Sequence, residues 1–218
     1  MTSMKFKYTD DQIKNYLVNH IKQSIINDVG GALIGWSSQI HQNGHIAGFY
    51  AIPRMLFPEI DGLGSYITGN PHATGLNIKT YLSEVMGIKR PRYKEVAAFM
   101  VFVYRHGLLH QHEPKWFSYK KIVIGLQFTI GNQNNPRDIQ AGNHLVFVDN
   151  VLMLDANTFY YDVINSIDDF ANDVVTRYRK TFEASVIIQS KPLTKTQLLY
   201  KRANQYISEK DFNFLKKL

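Results

Sequence analysis

The chain has 218 residues, 44% of them hydrophobic and 13% aromatic, with no cysteine and a net charge of +7. Such length and apolar content suit a folded domain with a substantial core and exclude a disordered chain. Without cysteine, disulfides, thiolate metal sites and thiol catalysis are excluded, which fits an intracellular protein.

In chain order, Thr9-Asp-Asp-Gln12 has the form of a capping box. Behind it Ile13, Leu17, Ile21 and Ile25 recur every four residues, marking an amphipathic helix that Gly30-Gly31 is expected to interrupt. Residues 32–68 read as helical, with Gly44, Gly48, Pro53 and Pro58 expected to kink or divide them. After the loop TGNPHATG a short helix is expected over about 76–86, with Gly87 as its stop. The run IKRPRYK holds four basic residues in seven and a proline, so it should not be helix interior. From Tyr93 to Leu109 the pattern is helical again, with Val96, Phe99, Met100, Val103 and Leu108 as its buried stripe, and Pro114 limits its length.

The character changes after residue 119. KIVIGLQFTI is strand-like and is followed by the turn-rich GNQNNPRDIQAGN. HLVFV and VLMLD flank Asp149-Asn150, a pair suited to a tight hairpin turn. Asn157 is a candidate cap for a long helix to about Phe182, with Phe159, Val163, Ile167, Phe170 and Val174 on one face. SVIIQ then precedes Pro192, and a basic helix over roughly 194–207 leads into the tail. The expected fold is mainly α in an α+β arrangement. An antiparallel helical bundle carries a small antiparallel β hairpin or sheet before the long C-terminal helix. One domain is expected, with a helical core at about 10–116, a β element at about 119–156 and C-terminal helices at about 157–218.

MTSMKFKYTDDQIKNYL turns polar and acidic where a signal peptide needs an unbroken apolar run. HIAGFYAIPRMLFPEI, the most apolar early segment, contains Arg54 and two prolines and is too short to span a bilayer. A cytoplasmic protein without a membrane partner is the expectation. The charge is uneven: from residue 176 onward ten basic residues stand against three acidic ones, so 10 − 3 = +7, the whole surplus. A cationic segment of this kind favours a polyanion such as RNA or DNA, or an acidic partner, and equally serves as a solvated helix surface.

Residues 104–112, YRHGLLHQH, concentrate one arginine and three histidines in nine positions. Three chemistries fit. A zinc site would use the four-residue spacings of His106 with His110 and His41 with His45, but Gly44 interrupts the second pair and no HExxH pattern occurs. No metal or other cofactor is therefore expected. Alternatively, an arginine followed at short range by a histidine suits RNA chemistry. The guanidinium of Arg105 would hold a phosphodiester bidentately while the imidazole of His110 moves protons at the 2′-hydroxyl or leaving oxygen. Arg137 and His144, with six residues between them against the four between Arg105 and His110, also fit the pattern of an arginine, four to six residues, then a histidine. They bridge a turn-rich loop and a strand, however, and carry no weight. The third reading is a helix end, where Arg and His neutralise the macrodipole and bond the last carbonyls.

Five residues along a helix rotate by about 140°, so Arg105 and His110 diverge on a straight helix, whereas His112, seven residues on, aligns better. Convergence of Arg105 with His110 needs loosening at Gly107 or a second copy of the chain, the more economical solution.

The run RYKEVAAFMVFVYRHGLLHQHEPK, with FPEIDGLGSYITGN upstream, resembles a group of bacterial proteins built on a recurrent pattern. In them an apolar helix ends in Ile-Asp-x-Leu-Gly, and a tyrosine-started helix ends in Arg-(His/Asn)-Gly-Leu-x-His. The pattern is similar to a divergent branch of the HEPN superfamily over about residues 45–117. That resemblance implies an antiparallel helical core forming a homodimer, with Arg105 and His110 of both copies lining a cleft and His106 as the polar second position of the motif. It implies RNA binding with metal-independent endoribonuclease activity in bacterial defence or stress, since many HEPN proteins have it. Others are non-catalytic, so the alternative is a dimeric interaction or regulatory protein in which YRHGLLHQH stabilises the dimer. Asp61 and His112 are candidate polar support, although Asp61 also reads as a turn residue at a helix end before Gly62 and Gly64. Lys89, Arg90, Arg92 and Lys94 are candidate phosphate contacts, or else a solvated loop.

Overall fold

The computed structural model describes residues 8–34, 50–104, 116–119, 122–129 and 143–190. Five helices and four short strands fall within them. Helix α1 covers 10–34, opening with the expected capping box, in which Thr9 Oγ1 accepts from the Gln12 amide at 3.2 Å and Gln12 Oε1 accepts from the Thr9 amide at 2.9 Å. Its stripe of Ile13, Leu17 and Ile25 is buried, with Ile21 packed at the margin. Gly30-Gly31 does not interrupt it. Both glycines stay helical, and at Gly30 a Cβ would sit 2.5 Å from the Tyr160 hydroxyl, so the missing side chain admits a neighbour.

Helix α2, Ala51–Thr68, is not divided at Pro58, Gly62 or Gly64, and stops at Gly69, whose φ of 72° is the left-handed C-cap conformation. Pro53 falls in its first turn, where no amide is needed. Helix α3 covers 74–89 and continues through Gly87, which keeps helical φ. What ends α3 is Arg90, forced into extended backbone by Pro91. Helix α4, Arg92–Val103, follows at once, burying Val96, Met100 and Val103, with Phe99 partly buried.

The strands are β1 Phe117–Tyr119, β2 Ile122–Thr129, β3 Val146–Val148 and β4 Val151–Asp155. Their order is β1-β2-β4-β3. Asp149 and Asn150, with φ of 47° and 65°, close the β3–β4 hairpin as the sequence suggested. The sheet as a whole is mixed, however, because β2 and β4 pair in parallel. Leu126, Phe128, Leu152 and Leu154 are its buried residues toward the helices.

Strand β4 feeds directly into helix α5, residues 156–190. The cap is Asp155, not Asn157: Asp155 Oδ1 accepts from the amide and hydroxyl of Thr158, both at 2.7 Å. Phe159, Val163, Ile167, Phe170 and Val174 are all buried, and SVIIQ is the last part of the same helix rather than a separate run. Near its end, Ser185 meets Ser65 of α2 at 2.8 Å, and Gln189 donates to both hydroxyls. Among the described residues no helix is long and apolar enough to cross a membrane.

Candidate functional site

Helix α4 leads into YRHGLLHQH, and its last described residue is fixed. Tyr104 is buried, its ring stacked on Phe57 of α2 with centroids 4.5 Å apart. Its pKa is raised by burial and then by the negative charge of Asp61. Arg105, His106, His110 and His112 lie outside the described residues, as do His41, His45, Leu108 and the helix expected near 194–207.

Asp61 sits mid-helix rather than at a helix end. Its carboxylate accepts from Asn77 Nδ2 at 3.0 Å, while the buried Asn77 also donates to the Asn70 carbonyl and accepts from Thr68. At Gly64, a Cβ would collide with the backbone of Asn77. The Ile60-Asp-Gly-Leu-Gly64 stretch is therefore a crossing device. Its glycine lets the α3 backbone touch α2, and its acid holds the asparagine at the crossing.

The basic run is a clasp. Lys89 pairs with Asp169, and Arg90 grips Asp162 through Nε at 3.0 Å and Nη2 at 3.3 Å. Arg92 pairs with Glu95, donates Nε–H to the Leu145 carbonyl at 3.1 Å, and lies over the Phe147 ring. These cations tie α3 to α5 and α4 to the segment entering β3. Lys94 makes no ion pair among the described residues. Beside the clasp, α3 and α5 bound a groove of about 700 Å³. Lys89 and Arg90 there face Asp162, Asp168, Asp169 and Asp173, so a phosphate meets no net positive charge.

At the centre of the clasp lies a cluster that sequence reading missed. The buried Tyr93 hydroxyl is 2.9 Å from both Asp162 Oδ2 and His144 Nε2. Burial pushes the Tyr93 pKa well up, and the Asp162 charge and hydrogen bond push it further, so the hydroxyl keeps its proton. It donates that proton to Asp162, so its oxygen accepts from His144 and the imidazole carries a proton on Nε2. Burial alone would raise the Asp162 pKa, but the His144 hydrogen bond, the Arg90 charge and the Tyr93 hydroxyl outweigh it, and the net shift is down. His144 Nδ1 is buried with no hydrogen-bond partner among the described residues. The arrangement is a buried hydrogen-bonded triad that joins the segment entering β3 to α4 and α5. Its partners are 51 and 69 residues from Tyr93, and the only signal in the sequence is the tyrosine that starts the motif helix.

Among the described residues no cluster of three or more His, Asp or Glu has the geometry to hold a metal ion. No family model, no curated protein and no solved structure matches the chain.

Proposed function

We propose that the chain is a HEPN-like RNA-binding protein that cleaves RNA without a metal ion, acting as a homodimer. Arg105 holds the scissile phosphodiester by paired hydrogen bonds, with His106 as polar companion. His110 takes the proton from the 2′-hydroxyl. The 2′-oxygen forms a bond to phosphorus, the bond to the 5′-oxygen breaks, that oxygen takes a proton from water and leaves, and His110 returns its proton to solvent, giving a 2′,3′-cyclic phosphate. The observation that supports this reading is the stacking of Tyr104, the first residue of YRHGLLHQH, on Phe57 of α2, which fixes where the motif begins. The cationic surplus after residue 176 adds a means of holding the phosphate backbone. RNA binding at low salt, falling steeply as salt rises and weakened by Arg105→Ala, tests it.

A second reading, a non-catalytic dimeric interaction protein, is favoured by the internal duties of Asp61, Lys89, Arg90 and Arg92. In that reading the histidines of YRHGLLHQH make association pH-dependent, and gel filtration between about pH 5.5 and 8 separates the two.

A further inference from the structure

We draw no further inference here: the strongest candidate, the groove between α3 and α5 lined by Asp162, Asp168, Asp169 and Asp173, is an acidic cluster whose carboxylates are already paired with Arg90, Lys22, Lys89 and Arg177, and nothing in the structure shows what would fill it.

Discussion

The hydroxyl of Tyr93 donates to the carboxylate of Asp162 at 2.9 Å, joining the first turn of α4 to α5. The bond satisfies a buried donor and completes the coordination of an acid already held by Arg90. Tyr93→Phe keeps the ring but strips both Asp162 and His144 of a partner. A loss of about 1–3 kcal/mol is expected, read from the urea midpoint. A change below a few tenths of a kcal/mol would show that the cluster is not a structural lock.

The same carboxylate sets an acid limit. The folded pKa of Asp162 lies below its ordinary 3.8, so its stabilising contribution is complete above that pH and is lost as pH falls through the lowered value. Asp162→Asn should destabilise the protein at neutral pH and flatten the acid limb of the stability curve below about pH 4. Parallel acid limbs for the variant and wild type would contradict the assignment.

Glu59 acts in the opposite sense. Burial, and then the charge of Asp28, raise its pKa above 4.5, so the fold favours its protonated form. Its contribution is present below that ordinary value and is lost as pH rises through the folded pKa. Glu59→Gln should therefore melt higher than wild type at pH 7, with the gain fading on acidification. A lower melting temperature at pH 7 would reverse the sign.

Gly62 and Gly64 are two residues apart in α2 but are not equivalent. A Cβ at Gly62 meets nothing within 4 Å, whereas one at Gly64 strikes the Asn77 backbone. Gly62→Ala should stabilise by about 0.5–1 kcal/mol through helix propensity. Gly64→Ala must push α3 away and should cost about 3 kcal/mol or more. Thermal melts of the pair decide it, and equal effects would rule out the close crossing.

Where spacing alone decides an element, the sequence was readable. The four-residue stripe of α1, the α4 stripe within the described residues, the five-residue face of α5 and the Asp149-Asn150 turn all appear as expected. Glycine misled three times. At Gly30, Gly64 and Gly87 the missing side chain makes room for Tyr160, Asn77 and Lys94, and the helix continues. A helix stop and a close approach leave the same letter in the sequence, and only the neighbour distinguishes them. The parallel β2–β4 pairing had no local signal, because hairpin turns announce only antiparallel neighbours. The basic run looked like a phosphate contact or a solvated loop because its aspartate partners lie 72 to 80 residues away, on a helix read from its apolar face alone. Of the candidate site itself, Asp61 is seen bonded to Asn77 inside the helix crossing, while Arg105 and His110 fall outside the described residues.

Cleavage of a single-stranded RNA in excess chelator, by wild type and by Arg105→Ala and His110→Ala, tests the proposed activity most directly. The expected result is wild-type cleavage leaving 2′,3′-cyclic phosphate ends, reduced at least a hundredfold in each variant with melting temperatures unchanged. RNA left intact by the wild type, or cut equally by all three proteins, would contradict it.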